Sequence, residues 1–345
     1  MSQYSYGRIR WITLILLVVC ALTSYAGFTA WREYQRFSDA PLITSGTAAT
    51  IDFPSGAGLD DLINELSRVG ARTGARWQWQ LLLRQLKLSR KLKAGEYALD
   101  ANSTPRSLAY ALALGKVVQH RFTIIEGTRF SDLRVALASN RNLKATIGGL
   151  SDVEILARIG SPYKLAEGLF LPESYQFPKG YSDLELLKKA YWDLQRVLDQ
   201  AWQNRAPELP LANPYEALIL ASIIEKETAK TSERAQIAGV FVRRLTRNMR
   251  LQTDPTVIYG LGSAYDGDIR SADLRTDTPY NTYTRAGLTP TPIALPGAAS
   301  IRAALQPEPG DTLYFVADGT GGHTFSETLE QHNAAVASYL RGQRQ

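Results

Sequence analysis

The strongest constraint on this chain lies near its N-terminus, where 21 residues without a charge, Trp11 to Trp31, run between Arg10 and Arg32. As a helix rising 1.5 Å per residue, the stretch spans about 30 Å, the thickness of a bilayer's hydrocarbon core. Leu14-Ile15-Leu16-Leu17-Val18-Val19 fills its middle, and a tryptophan stands at each end, where interfacial rings sit. The pattern predicts a transmembrane helix over 11–31 behind a short tail, 1–10. A cleaved signal peptide is the alternative, because Ser24-Tyr25-Ala26 has small-x-small character. The apolar run continues past that site to Trp31, which favours an uncleaved anchor. Arginines flank both ends, Arg8 and Arg10 before and Arg32 and Arg36 after, so charge alone leaves the orientation open.

At 345 residues the chain has room for two or three domains. A single cysteine, Cys20, excludes an intrachain disulfide framework, and only three histidines accompany it (His120, His323, His332), so no metal site is expected. No cofactor is expected either: Asp318-Gly319-Thr320-Gly321-Gly322 lacks the Gly-Lys-Ser/Thr of a phosphate loop. A net charge of +6 without a clustered basic stripe gives no case for nucleic acid. Chemistry must therefore run on carboxylates, hydroxyls or amides.

The periodicities predict an α+β protein: the membrane helix, a linker over 32–48, a small α+β region over 49–155, and a mainly helical domain with short strands over 156–345. The small region opens with a strand at Thr50–Phe53, a Pro54-Ser55-Gly56 turn and a helix with Leu59, Leu62, Ile63, Leu66 and Val69 on one face. A helix at Trp77–Leu86, a strand at Tyr97–Leu99, and a helix begun by Ser103 or Thr104 with Pro105 and ended by Gly115 follow. Ile51, Phe53, Gly56, Leu59, Asp61 and Leu62 recur as Phe122, Ile124, Gly127, Phe130, Asp132 and Leu133 at a constant offset of 71 residues. This is either an internal duplication or two uses of a common strand-turn-helix unit. The region offers no cluster of acid, base and nucleophile, so it reads as a binding module. In the second domain Asp183 is expected to cap a long helix, and Asn213-Pro214-x-Glu216 forms a capping box ahead of Ala217–Ile224, apolar around nearly the whole circumference. That helix must be buried. A buried strand at Leu313–Ala317 and a helix start at Phe325-Ser326-Glu327 complete the expectations.

At the end of the buried helix stand Glu225 and Glu227. Two residues on a helix are roughly 200° apart, so the two carboxylates cannot share one cleft. Glu225 follows the apolar run and is the candidate acid, since a half-buried carboxyl favours its protonated form. The alternative is that the helix reaches solvent there and Glu225 pairs with a basic side chain. Glu227 is expected to be structural, pairing with Lys230 or capping the turn into Thr231-Ser232-Glu233. Two polar and aromatic stretches suit a carbohydrate groove, in which apolar ring faces and dense hydroxyls must be met together. They place Gln252, Thr253, Asp254 and Tyr259, with Tyr280, Asn281 and Tyr283, as candidate substrate-binding residues, although both stretches also suit ordinary loops and Asp254-Pro255 a turn.

In this order Glu167–Tyr175, Leu220–Thr228, Arg250–Gly260, Pro279–Tyr283 and Phe315–Gly319 with Gly322–Phe325 resemble the MltG (YceG-like) family of endolytic murein transglycosylases, over about residues 50 to 340. The resemblance implies a single-pass inner-membrane protein with a cytoplasmic N-terminus. Over 49–155 it implies a LysM-like region, and over 156–345 a periplasmic catalytic domain cutting peptidoglycan glycan strands, with the family's catalytic glutamate falling on Glu225. It also implies a partnership with a glycan-polymerising penicillin-binding protein. Leu288-Thr289-Pro290-Thr291-Pro292-Ile293 departs from the family's more usual Pro-Pro-Gly turn. A lytic transglycosylase can work with one carboxylate, whereas ordinary glycoside hydrolysis wants two, here Glu225 with Asp254 or Glu173. A scaffold that binds peptidoglycan without cutting it is the remaining alternative.

Overall fold

The computed structural model describes residues 3–43 and 48–342, so the small polar stretch 44–47 of the expected linker lies outside the described residues. The chain divides into two units, Met1–His120 and Arg121–Gln345. Together they form a mixed helical and small-sheet fold with an N-terminal apolar helix, as the periodicities predict.

That helix, α1 (Gln3–Asp39), begins within the expected tail and runs eight residues beyond Trp31. By length and composition, Trp11–Asp39 suffices to cross a membrane, and its large apolar side chains from Trp11 to Trp31 are exposed. The expected linker is not a loose one before residue 44. Tyr34 and Phe37 are buried, and the Phe37 ring meets Trp79 edge-on at 5.2 Å. Leu42 donates its N–H to Ser103 O at 2.7 Å and accepts at its own carbonyl from Arg72 N–H at 2.8 Å. The last turn of α1 supplies aromatic residues three apart, which is the spacing that presents both to one apolar core.

That core belongs to the first unit. Strand β1 (Ala49–Phe53) is followed by α2 (Leu59–Arg68) and α3 (Arg76–Gln85), and pairs antiparallel with β2 (Gly95–Leu99) in a register running from Ala49 opposite Leu99 to Phe53 opposite Gly95. Leu62, Leu66, Trp79, Leu82, Leu108 and Leu112 fill the interior. Of the two caps expected for helix α4 (Pro105–Leu114), Ser103 and Thr104, the structure uses Thr104, whose Oγ1 accepts from Ser107 N–H at 3.1 Å, and Gly115 closes the helix at φ +71° as expected.

The second unit opens inside the region expected to end near 155. Strand β3 (Gln119–Thr123) leads into α5 (Phe130–Ala138) and α6 (Asp152–Ile159), and pairs with β4 (Ser174–Pro178). Ile124 N–H donates to Glu173 O at 3.0 Å, and Phe122, Phe130, Leu133 and Leu137 join the larger core. The recurring strand-turn-helix units therefore serve different cores, and the compact boundary falls at 120/121 because the second copy's strand finds its partner downstream.

Helix α7 (Asp183–Gln203) is capped by Ser182, whose Oγ accepts from Glu185 N–H at 3.1 Å; the predicted cap, Asp183, is buried and instead accepts from Thr146 N–H at 2.9 Å. Helix α8 (Pro214–Glu227) is the centre of the unit. Ala217–Ile224 are all buried, against α7, α9 (Arg234–Thr246), α10 (Asp254–Leu261) and, past the short α11 (Ser271–Arg275), α12 (Ala298–Leu305). Asn213 caps it at 3.0 Å as expected, but the Glu216 carboxylate reaches past the cap to Ala212 N–H at 2.7 Å. Strand β5 (Tyr314–Ala317) is half-buried rather than buried and pairs with β6 (His323–Ser326), so Phe325 and Ser326 close a hairpin and α13 starts only at Leu329 (Leu329–Gly342). Asp318 Oδ1 accepts from the Thr320 and Gly322 N–H groups inside the glycine stretch, which makes it a hairpin turn.

Candidate active site

The two carboxylates that end α8 diverge as the helical spacing requires, but their environments are the reverse of those expected. Glu225 Oε1 accepts from Arg234 Nη2 at 2.9 Å and Glu225 Oε2 from Gly297 N–H at 2.9 Å. Its side chain is only 4 % exposed and that of Arg234 7 %. Both carboxylate oxygens are occupied by structural donors, so Glu225 is the inter-helix tie between α8, α9 and the start of α12.

Glu227 faces the polar loops instead. Thr253 Oγ1 donates to Glu227 Oε1, and Thr253 is itself fixed, its N–H donating to Thr282 Oγ1 at 3.1 Å. Asp254 and Tyr283 stand beside them, the Tyr283 hydroxyl donating to Asp254 Oδ1 at 2.6 Å. Lys230, the expected partner of Glu227, pairs with Glu233 at 3.7 Å, and Glu233 holds His323 Nδ1 at 2.8 Å. Arg244, buried in α9, donates Nε to Leu313 O at 2.7 Å and Nη1 to Leu251 O at 2.8 Å, fixing the loop that carries Thr253. Burial pushes the Glu227 carboxyl up to about 7; the Thr253 hydrogen bond and the neighbouring His323 and Arg244 pull against this, while Asp254 adds to it. This is an acid able to hold and release a proton near neutral pH.

The remaining predicted residues fall in four places. Thr253, Asp254 and Tyr283 gather around Glu227. Gln252 is exposed at φ +50°, its N–H given to Thr282 O at 3.1 Å. Asn281 is buried and unavailable to a substrate: its amide donates to the carbonyls of Asp273, Leu274 and Thr276, at 3.2, 3.1 and 2.7 Å. Tyr259 and Tyr280, at the other end of α10, line a cavity of about 560 Å³ together with Glu167 and Thr291. The Glu167 carboxyl is also pushed up to about 7 by burial, against hydrogen bonds from Phe130 N–H and Tyr259.

Sequence reasoning did not single out Glu167, Arg234 or Arg244, because a charged residue inside an apolar pattern carries no sign of its partner. One local signal was present: Glu167 precedes Gly168, which sits at φ +78° with space for a Cβ taken by Pro292 Cβ at 2.3 Å. Gly168→Ala is therefore expected to cost about 1–3 kcal/mol, read as a lower denaturant midpoint at unchanged m-value.

A profile of the YceG-like family matches residues 51–338. This chain belongs to the YceG-like family. The endolytic murein transglycosylase of Bacillus subtilis strain 168 is 29 % identical over 314 residues, 86 % of each chain. The protein of that name from Streptococcus pneumoniae D39 is 26 % identical over 367 residues, covering 97 % of this chain and 66 % of its own. A crystal structure of a yceG-like protein from Listeria monocytogenes superposes with a TM-score of 0.52 at 29 % identity, over 83 % of this chain and 98 % of that one. Family membership accords with the ordered motifs on which the resemblance rests, and those motifs supply Glu227, Thr253, Asp254 and Tyr283.

Proposed function

We infer that the protein is a membrane-anchored lytic transglycosylase that cuts the MurNAc-GlcNAc bond within peptidoglycan glycan strands, with Glu227 rather than Glu225 as its acid. The observation that carries the assignment is the buried Glu227 carboxyl, set to about 7 and surrounded by hydroxyls and a second carboxylate instead of an ion pair. The names of the relatives supply the bond class. Protonated Glu227 gives its proton to the glycosidic oxygen, the muramic N-acetyl group assists at the anomeric carbon, and the resulting carboxylate takes the proton of the sugar's own 6-hydroxyl. The product is a 1,6-anhydro end. Thr253 orients Glu227, and Asp254 with Tyr283 presents polar groups to the sugar.

The neighbouring Asp254 supports one other reading, hydrolysis by a carboxylate pair. Mass spectrometry of digested glycan separates the two: anhydro ends, one water lighter than reducing ends, are expected, and ends carrying the full water would establish the hydrolase. In either case the acid must be protonated. Because burial raises the Glu227 carboxyl to about 7, kcat is expected to fall by about tenfold per pH unit above that value, and a rate still rising at pH 8 would exclude Glu227 as acid.

Helix α1 is the basis for an inner-membrane anchor, with the N-terminus cytoplasmic and the second unit periplasmic. The first unit is read as a LysM-like glycan-holding module, and a glycan-polymerising synthase is the partner through which cleavage would end strand elongation.

A further inference from the structure

The first unit has no slack between itself and the apolar helix. Tyr34 and Phe37, in the last turns of α1, are buried in its core, and Arg106 Nε donates to Asp39 Oδ1 at 2.9 Å where α1 ends. With the bilayer boundary at Trp31, Tyr34 lies about 4.5 Å and Arg36 about 7.5 Å further along the helix. The headgroup layer on each side of a bilayer is about 5–8 Å thick, so the unit begins within it.

The contacts of α3 decide which part of the unit points back at the membrane. Gly74, just ahead of α3, packs on the Phe37 ring, where a Cβ would come within 2.1 Å of Phe37 Cε2, and Trp79 meets the same ring at 5.2 Å. The Tyr34 hydroxyl donates to Gln85 Oε1. Moving back along α1 from Phe37 to Tyr34, toward the bilayer, thus corresponds to moving forward along α3 from Trp79 to Gln85. Helix α3 runs back toward the membrane, and the loop that follows it, 86–94, is delivered to that side.

That loop carries a concentrated charge. Arg84, Lys87, Arg90, Lys91 and Lys93 fall within ten residues that hold no acid. In the sequence Leu86, Leu88 and Leu92 interrupt the run, which is why it does not read as a basic stripe. In the fold Leu88 is buried, Leu86 and Leu92 pack against the core, and the five basic side chains are left exposed. None of the five forms an ion pair among the described residues. Arg84, in the last turn, is enough to complement the carbonyl end of α3, and the other four lie beyond it. Arg36 adds a further exposed charge from α1, with Glu33 the one acid on that turn.

Resting on the reading of α1 as a membrane anchor, we propose that this basic face seats the first unit on the bilayer by binding the phosphate headgroups of anionic phospholipids. Lysine and arginine side chains near a membrane surface are drawn to anionic lipid, and an anchor that already holds them there removes the cost of bringing them to it. A single helix leaves the unit free to rotate about its own axis. The basic face ends that freedom, because only one rotation brings the loop down onto the headgroups.

The test uses the full chain with its one cysteine removed by Cys20→Ser and a fluorophore attached through Ser89→Cys, an exposed position inside the run. The protein is placed in phosphatidylcholine vesicles doped with equal small fractions of either phosphatidylglycerol or phosphatidylcholine spin-labelled near the headgroup. Phosphatidylglycerol is expected to quench about tenfold more effectively at low salt, and the preference to fall within about twofold at 1 M salt, where the screening length is about 3 Å. The triple variant Arg84→Gln, Arg90→Gln, Lys91→Gln should lose the preference too, at unchanged melting. Equal quenching by the two lipids, or a preference that survives either treatment, would overturn the seat. Equal quenching with tight capture of a soluble polyphosphate would do so as well, and would assign the run to an anionic polymer. Flotation with vesicles of phosphatidylcholine alone reports the anchor separately: a chain that does not float sinks the anchor reading, whereas one that floats with equal quenching sinks only the seat.

Discussion

Replacing Glu227 by glutamine is expected to lower the production of new glycan ends by about 10²–10⁴-fold while the protein stays folded. Glutamine keeps the size of the side chain and an acceptor for Thr253 Oγ1, but it can neither give nor recover a proton. The substitution should also change stability in an informative direction. With its carboxyl at about 7 in the folded protein and near the ordinary 4.5 when unfolded, Glu227 contributes stability that is fully present below about pH 4.5 and lost as pH rises towards 7. Above pH 7 the glutamine variant should therefore melt at or above the wild type, by at most about 1–3 kcal/mol. Glu167 titrates in the same window and should remain as a background slope. Wild-type kcat in Glu227→Gln would remove this residue from the chemistry.

Glu225→Ala is expected to behave in the opposite way, costing about 3–5 kcal/mol of stability and less than tenfold in kcat per folded molecule. Its removal leaves the Arg234 guanidinium, 7 % exposed, with only Glu126 at 3.3 Å, a carboxylate that is itself 45 % exposed and correspondingly weak. Arg234 Nε already has no hydrogen-bond partner, so little spare satisfaction is available. Gly297 N–H would lose its acceptor as well. For a unit of this size the loss corresponds to a drop in Tm of roughly 5–15 °C, measurable by circular dichroism. Glu225→Gln, which retains hydrogen bonding, should lose about half as much. An inactive Glu225→Gln protein with unchanged melting would return the acid to that position.

These two expectations mark what was legible in the residues. The Asn213 cap, the all-round apolar face of Ala217–Ile224, the Pro105 helix start and the Gly115 stop concern spacing within a few residues of one another. Local physics decides them, and the structure follows it. The divergence of Glu225 and Glu227 was legible for the same reason, because two helical steps turn a side chain through roughly 200° whatever surrounds it.

The sequence by itself therefore determined that a long apolar helix lies near the N-terminus, that one helix must be the core of the second unit, and that at most one of its two terminal glutamates can face a cleft. Only the tertiary structure decided which one. Arg234 lies nine residues after Glu225, and Gly297 seventy-two residues after it, and together they claim that carboxylate. Thr253 lies twenty-six residues after Glu227, and it brings the polar loops to the other. The boundary at 120/121 has the same origin, since β3 carries nothing in its own residues to say that its partner is β4 rather than a strand before it. Burial and pairing are properties of what folds back from a distance, and a carboxylate's proton affinity is set by them more than by its neighbours in the chain.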